Sequence, residues 1–369
     1  MGQLDRNGGG GVMAAAATAS MTPLERVVAA LTFQTPDRVP VALYFQSGVQ
    51  DDLVEMDYTW EEALNHPRKL FQAIERQYTV HGADNFFLPV DFRVEGEALG
   101  SKVEYRLKTG GGMRMAWVTD WALKNKKDLD KFDVPDPQKA GRMPVVLGVI
   151  RRLKAKYPDV PIVGFLNGPP DTMTDFYQGH FRQLFIEMAA DPKFVHECLE
   201  LVTQSAIAFG KAMVDAGAVA IATVEGGMVD EAVSPAQYAE FVVPYHRKIR
   251  DAIGVPYVYH QCENATPFFD LIVNEIQPAC VAFHDSVDLA WAKEKYGSKV
   301  ALAGNVGISK AGAPFYGSRD EVLSAAKQCL EIAKGGSGYL LSAGCEVHHG
   351  IPIENVTALK EAAERWGRY

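Results

Sequence analysis

The stretch that decides the fold is "AVAIATVEGGMVDEAVSPAQYAEFVVPYHRKIRDAIGVPYVYHQC", residues 218–262. It begins and ends with short apolar runs rich in β-branched and aromatic residues, which are typical of buried strands. Between the two runs, residues 235–253 have the apolar spacing of a helix. A strand, a helix and a second strand in succession predict a βαβ unit with parallel strands.

The same alternation continues along most of the chain. Helices of good length are predicted between most of the strands, for example over residues 192–216 and 318–334. Eight alternating strands and helices in a chain of 369 residues predict a single (β/α)₈ TIM barrel. The predicted strands are "RVPVALYF" (38–45), "DNFFLPV" (84–90), "PIVGFLN" (161–167), "AVAIATVE" (218–225), "PYVYHQC" (256–262), "ACVAFHD" (279–285), "VALAGNV" (300–306) and "GYLLSAGC" (338–345).

Two regions depart from this alternation. Residues 92–121, "FRVEGEALGSKVEYRLKTGGGMRMAWVTDW", predict an antiparallel β insertion after the second strand, with a turn at Gly110–Gly112. Residues 1–20, with a glycine run and an alanine run, lack the continuous apolar core of a secretory signal and predict a disordered leader. The barrel is therefore expected over residues 21–369. It should begin with an N-terminal helix that Thr22 and Glu25 cap.

Composition excludes several classes of protein. The chain is 47% hydrophobic and 22% charged, which is typical of a globular protein, and no apolar run approaches the length of a membrane span. A net charge of −9 argues against a nucleic-acid partner. Five widely spaced cysteines are an odd number without a disulfide framework, which favours a reducing, cytoplasmic location and leaves thiols for metal binding or packing.

Reactive side chains follow the apolar runs at the carboxyl ends of the strands, where TIM barrels place their chemistry. Each of these residues could instead be an ordinary helix cap or a satisfied polar neighbour, but as a set they indicate an active site. They are Asp91, Asn167, Glu225, His260, Cys262, His284, Asp285, Asn305 and Cys345.

His260 and Cys262 are the most informative pair. Residues two apart in a strand project to the same face, so both side chains should point into the mouth of the barrel. A thiolate and an imidazole on one face suit zinc, and Cys345 at the end of the last strand is the best third ligand. Three protein ligands leave one position open, as in catalytic zinc sites. Cys198, Cys280 and Cys329 are predicted to be packing residues or to lie at the opposite end of the barrel.

Several segments are similar to the uroporphyrinogen decarboxylase superfamily. They are "LERVVAALTFQTPDRVPV" (24–41), "GPPDTMTDFYQG" (168–179), "VDAGAVAIATVEGGMVDEAVSPAQYAEFVVPYHRKI" (214–249), and "VALAGNV" with "GGSGYLLSAGCEVHHGIPIENVTAL" (300–306 and 335–359). The resemblance covers nearly the whole chain from about Thr22 and implies the same (β/α)₈ barrel. The arginine-rich substrate motif of the decarboxylases is missing from the matching "YFQSGVQDD", residues 44–52.

The "HQC" at residues 260–262 and the later "GC" at residues 344–345 resemble the zinc motif of the corrinoid-dependent methyltransferase branch. This resemblance implies His260, Cys262 and Cys345 as zinc ligands, and His284 or Asp285 as a fourth ligand when substrate is absent. We predict that a small acceptor thiol, such as coenzyme M, occupies the open zinc position and attacks the methyl group of a methylcobamide.

Other partners and readings stay open at this point. The chain has no D-x-H-x-x-G signature, so the corrinoid is expected on a separate protein, with Glu225, Asn167, Asn305 and Asp285 as candidate contacts to substrate or corrinoid. His348, His349 and Glu346 are further neighbours of the predicted zinc site. The alternatives are a methyltransferase that demethylates a methylated donor onto Co(I), a decarboxylase, and a non-catalytic binder of corrinoid or porphyrin.

Overall fold

The computed structural model describes residues 20–44, 48–107, 114–178, 180–309 and 312–369. The predicted leader therefore lies outside the described residues, apart from its last one. The predicted N-terminal helix is present as α1, Pro23–Leu31. Thr22 and Glu25 form the expected capping box, in which each side chain bonds the other residue's backbone N–H.

A curled parallel sheet forms the centre of the fold. In the described part of the chain it contains seven strands, ordered β1-β4-β5-β6-β7-β8-β9 with every neighbouring pair parallel. Seven of the eight predicted barrel strands are thus confirmed in chain order. The strands are β1 (Phe86–Leu88), β4 (Ile162–Asn167), β5 (Ala220–Glu225), β6 (Tyr257–Gln261), β7 (Cys280–Phe283), β8 (Ala301–Val306) and β9 (Tyr339–Ala343).

The first predicted strand occupies the remaining position of the barrel but is not a regular strand. Residues 39–44 lie between β1 and β9, where Val41 makes one parallel bridge to Leu341. On the β1 side, part of the pairing comes from side chains, because Asp84 accepts from the Val41 backbone N–H and Asn85 accepts from that of Leu43. Pro40 lacks an N–H, which also prevents a regular ladder here.

The helices cover the outside of the sheet. The described residues form α1, α2 (Val49–Glu55), α3 (Trp60–Asn65), α4 (Pro67–Thr79), α5 (Val94–Ala98), α6 (Met143–Lys156), α7 (Pro169–Phe176), α8 (Phe181–Ala190), α9 (Pro192–Ala216), α10 (Pro235–Phe241), α11 (Val243–Ile253), α12 (Phe269–Leu271), α13 (Leu289–Tyr296), α14 (Arg319–Ala333) and α15 (Ile353–Trp366). Among them no helix is both long and apolar enough to cross a bilayer.

One predicted helix is divided in two. The segment over residues 235–253 breaks at Val242, which separates α10 from α11. Pro244 explains the break, because its nitrogen cannot donate to the preceding turn and its ring crowds that turn. Predicted helix 192–216 matches α9, and predicted helix 318–334 is one residue shorter at each end in α14.

The antiparallel insertion after the second predicted strand is confirmed as the pair β2 (Lys102–Leu107) and β3 (Arg114–Asp120). The predicted turn at Gly110–Gly112 falls outside the described residues. The first part of the predicted insertion is not extended, since residues 94–98 form helix α5.

Inward-facing side chains fill the barrel interior. Helix α1 closes one end of the barrel, where Val27 and Ala30 pack against these side chains. Strands β5 and β6 each send alternate residues inward, so Ala222 and Val224 pack with Val258 while Ile221 and Tyr259 face the helices. This alternation fixes which residues at the strand ends reach the mouth of the barrel.

Candidate metal centre

His260 and Cys262 continue the inward face of β6. His260 lies two residues after the inward Val258 and is 3% exposed, and Cys262 packs against the interior cluster. Gln261, between them, faces outward and bonds Tyr238 in the helix layer. The backbone N–H of Cys262 donates to the Glu225 carbonyl at 3.0 Å, which fixes the chain where β6 ends.

Cys345 completes a group of three ligands. It follows β9, and its sulfur, the Cys262 sulfur and a ring nitrogen of His260 all lie within 4.8 Å of one another. Strands β6 and β9 are not neighbours in the sheet, so only the curvature of the barrel brings these residues together. Two sulfurs and one imidazole nitrogen at this spacing are compatible with one tetrahedral zinc ion.

The two thiols of the group act on each other's protonation. The contact with Cys262 lowers the pKa of the Cys345 thiol well below its usual range, while burial opposes this shift and His260 and His348 reinforce it. The reciprocal effect of Cys345 raises the pKa of Cys262. Nδ1 of His260 is buried and has no hydrogen-bond partner among the residues that the structure describes. A buried imidazole nitrogen beside two thiols is a suitable donor for zinc.

Tyr44 is a neighbour of the centre that was not singled out from the sequence. Its ring packs against His260, with ring centroids 5.4 Å apart, and makes an edge contact with Phe87 at 4.9 Å. Burial, and further the cysteines Cys280 and Cys345, raise the pKa of its hydroxyl well above the usual range. Tyr44 is the second-last residue of the first predicted strand, so the barrel prediction places it near the mouth.

The two candidates for a fourth ligand make other contacts. His284 shares its Nδ1 with the Ser286 hydroxyl at 2.8 Å. Oδ2 of Asp285 accepts from the backbone N–H groups of Ile308 and Ser309, at 2.8 and 3.2 Å. Neither belongs to the group of three ligands around His260. A fourth ligand from this loop therefore stays a prediction.

Two of the predicted substrate contacts, Asn305 and Asn167, form hydrogen bonds to backbone carbonyls. The Asn305 amide donates to the carbonyls of His284 and Val287, at 3.2 and 2.7 Å, and so fixes the loop after β7. The Asn167 amide donates to the Phe92 carbonyl in the same way. Both side chains are buried, so their binding of a substrate stays a prediction.

Asp91, the remaining strand-end residue, forms a buried ion pair with Arg142 at 2.5 Å. Each partner is 5% exposed on its side chain, and Arg142 also bonds Glu97. Each charge compensates the other in this buried pair, which links the loop after β1 to Arg142 at the start of α6, so no catalytic role is needed to explain Asp91.

Glu225 belongs to a buried polar chain that the sequence did not reveal. Its Oε1 lies 2.7 Å from Nε2 of His246, and Nδ1 of His246 lies 2.6 Å from the Tyr257 hydroxyl, both within hydrogen-bond distance. Burial lowers the pKa of His246 to about 3 and raises that of Glu225 to about 8. The histidine is therefore neutral, with one ring nitrogen as donor and the other as acceptor. His246 lies in the middle of the helix predicted over residues 235–253, away from the strand ends where functional residues were expected.

Glu95 provides a pH-dependent prediction. Burial raises its pKa to about 8, although the Asn167 N–H donates to its Oε2 at 2.7 Å. Between about pH 4.5 and pH 8 the unfolded chain has lost this proton and the folded chain keeps it, so the free energy of unfolding should fall as the pH rises. Glu95→Gln stays neutral throughout. Across this pH range, the free energy of unfolding of the variant should therefore rise by on the order of 3 kcal/mol relative to that of the wild type.

Urea unfolding of both proteins at pH 5 and pH 8 measures this difference. The same substitution at the exposed Glu354 controls for the change in net charge. Parallel pH dependences for the wild type and Glu95→Gln would show that Glu95 is ionised in the folded protein, contrary to this account.

The chain resembles known proteins over nearly its full length. A methylcobamide:CoM methyltransferase MtaA from Methanosarcina barkeri is 28% identical over 346 residues, which cover 92% of this chain and 97% of the relative. A uroporphyrinogen decarboxylase from Vibrio cholerae is 28% identical over 251 residues, covering 64% of this chain and 68% of the relative. Both kinds of relative thus share the barrel sequence at a similar level of identity.

A solved structure agrees with the fold. A methyltransferase from Methanosarcina mazei superimposes with a TM-score of 0.83 at 28% identity, covering 93% of this chain and 98% of that chain. The family model for uroporphyrinogen decarboxylase matches residues 22–366. This chain therefore belongs to the uroporphyrinogen decarboxylase family.

Proposed function

We propose that this chain is a zinc-dependent methyltransferase that moves a methyl group between a corrinoid protein and a small acceptor, most simply a thiol. One observation carries the proposal. The group of buried His260 and half-buried Cys262 and Cys345 lies at the barrel mouth of a chain that is similar over 92% of its length to a methylcobamide:CoM methyltransferase. Residues 21–369 would form the single catalytic domain.

His260, Cys262 and Cys345 would hold the zinc ion. Bound zinc would lower the pKa of an incoming thiol, so that the thiolate is the abundant form near neutral pH. The protein's own part is to supply two sulfur ligands and one nitrogen ligand, leaving room for one more group. Tyr44 packs on His260 from the barrel interior, which holds the imidazole in place and keeps water from that side.

The corrinoid would come from a separate protein that docks at the mouth of the barrel. The sequence has no cobalamin-binding D-x-H-x-x-G signature to hold it. The methyl group would pass from the corrinoid to the sulfur of the acceptor, with the electron pair of the carbon–cobalt bond remaining on cobalt. Carboxyl-edge residues such as Asp285 and Glu225 would shape the space in which the two meet.

Metal analysis combined with two assays tests the proposal. The purified protein should contain about one zinc per chain, the number that three converging ligands can hold. It should also accelerate the thiol-dependent loss of the methyl–cobalt absorption of methylcobalamin. Transfer only from a methoxylated aromatic to cob(I)alamin would support the donor-side alternative. A metal-free protein that decarboxylates a porphyrinogen would contradict the proposal.

A further inference from the structure

The interior of this barrel is filled unevenly. Bulky branched side chains usually dominate the interior of a TIM barrel. Here β1 and β4 contribute the large rings of Phe87 and Phe165, whereas β7 and β8 contribute only cysteine and alanine to the apolar interior. These small residues are Cys280, Ala282, Ala301 and Ala303. Side chains of this size cannot fill the volume that branched residues would occupy, so unfilled space is expected inside the barrel.

A cavity lies between α1 and the amino ends of the strands. Its volume of about 70 Å³ is several times the roughly 10–15 Å³ that one water molecule requires. Ala42, Tyr44 and Val163 face the interior but are only half-buried, because they border this space. Val28 and Pro256 are exposed parts of the wall, so the cavity opens to solvent between α1 and the start of β6.

The wall of the cavity is apolar. Among the described residues, no charged side chain lines it, and the polar ones are Asn85, Tyr44 and Cys280. The Asn85 amide is already occupied, since its Oδ1 accepts from the Leu43 N–H at 3.0 Å and its Nδ2 donates to the Leu43 carbonyl at 3.2 Å. Burial raises the pKa of the Cys280 thiol to about 12, which keeps the thiol neutral. A charged or strongly polar molecule would lose its hydration here without gaining equivalent partners.

Tyr44 separates the cavity from the candidate metal centre. Its ring lines the cavity and also packs on His260, with ring centroids 5.4 Å apart. Phe87, another wall residue, contacts the Tyr44 ring at 4.9 Å. None of the three proposed metal ligands lines the cavity. The cavity and the metal centre are therefore two sites, and they open towards opposite ends of the barrel.

We propose that this cavity is a second binding site, which takes a small, neutral, apolar molecule of a few heavy atoms, such as a short hydrocarbon. Such a molecule would fill volume that the small inward side chains leave empty and would gain dispersion contacts with the wall. It would also touch Tyr44, so its presence would restrict the ring that packs on His260. The inference does not depend on the proposed function, because the wall contains no proposed metal ligand.

Propane and ethanol test the chemical class of the ligand, because they have the same number of heavy atoms and differ by one hydroxyl group. The full-length protein, labelled with ¹³C in its alanine, valine and leucine methyl groups, is titrated with each compound and followed by NMR. With propane we expect saturable shifts of the methyl signals of Val27, Ala303 and Leu340, which line the cavity. Ethanol should bind at least about tenfold more weakly, because its hydroxyl would be buried without a good partner.

Ala42→Leu tests the location of the site. Ala42 is half-buried and borders the cavity, so a leucine side chain would occupy the space that propane needs. The affinity for propane should fall at least about tenfold. Ala42→Val, a smaller addition, is the second variant if leucine prevents folding, and it should weaken propane binding in the same direction. Ala189→Leu adds the same atoms at an exposed position of α8 and should leave the affinity unchanged.

The outcomes separate this inference from the proposed function. The absence of a saturable propane response, equal affinities for propane and ethanol, or undiminished propane binding in the folded Ala42 variants would overturn the second site. None of these results bears on zinc or methyl transfer. Conversely, Cys262→Ala should bind propane as the wild type does, because Cys262 does not line the cavity. Loss of propane binding in that folded variant would show that the ligand lies at the metal centre, contrary to the inference.

Discussion

Replacing Cys345 with alanine is expected to abolish high-affinity zinc binding while leaving the barrel folded. Cys345 supplies one of only three ligands in the group, and its sulfur lies within 4.8 Å of the other two ligand atoms. Structural zinc sites derive on the order of 10 kcal/mol from their ligands together, so the loss of one ligand should weaken zinc binding by about 100-fold or more. Competition with a chromophoric chelator measures the change in affinity.

The control for this variant is Cys198→Ala. Cys198 is also buried, but it lies within α9 among apolar neighbours, so its replacement should change zinc affinity little. Circular dichroism establishes that both variants are folded. An unchanged zinc affinity in a folded Cys345→Ala variant would place the metal elsewhere and remove the basis of the proposed mechanism.

Replacing Asp84 with alanine is expected to have the largest effect on stability. Its carboxylate bonds Arg26 at 3.0 Å and Arg38 at 2.7 Å, and it accepts from the Val41 N–H at 2.8 Å. These bonds attach both α1 and the irregular first segment to the barrel. Without Asp84, two largely buried guanidinium groups lose a partner. The free energy of unfolding should fall by about 3–5 kcal/mol, as measured by urea denaturation.

The exposed ion pair between Asp128 and Lys131 provides the comparison for Asp84. Its contact of 2.5 Å is shorter than those of Asp84, yet solvent screens both charges. Asp128→Ala should therefore leave the unfolding midpoint nearly unchanged. If Asp84→Ala and Asp128→Ala have equally small effects, the buried cluster does not contribute to closing the barrel.

The strand order and the His260–Cys262 pair could be predicted from the sequence because both depend on local periodicity. Apolar runs separated by helical segments predict parallel strands. Side chains alternate between the two faces of a strand, so residues 260 and 262 should project from the same face. The structure shows seven of the eight predicted strands in this order, and it brings ligand atoms of His260 and Cys262 within 4.8 Å of each other. Cys345 was reachable by the same reasoning, because it ends another strand at the same edge.

The remaining features depend on contacts between distant residues, which periodicity does not encode. The first strand is irregular because Asp84 and Asn85, over 40 residues later, supply side-chain partners for its backbone. Glu225 has its main partner, His246, on a helix. From the sequence only its position at the end of a strand was evident, and this position led to the prediction that it contacts substrate.

The rate of thiol-dependent methylcobalamin demethylation in the wild type and in Cys262→Ala, with 2-mercaptoethanol as acceptor, is the most direct test of the proposed zinc site and its function. Cys262 belongs to the three-ligand group and packs against the barrel interior. We predict a zinc-containing wild type that removes the methyl–cobalt absorption, and a folded, zinc-free Cys262→Ala variant whose rate equals the uncatalysed background. Wild-type activity in the zinc-free variant would contradict the account.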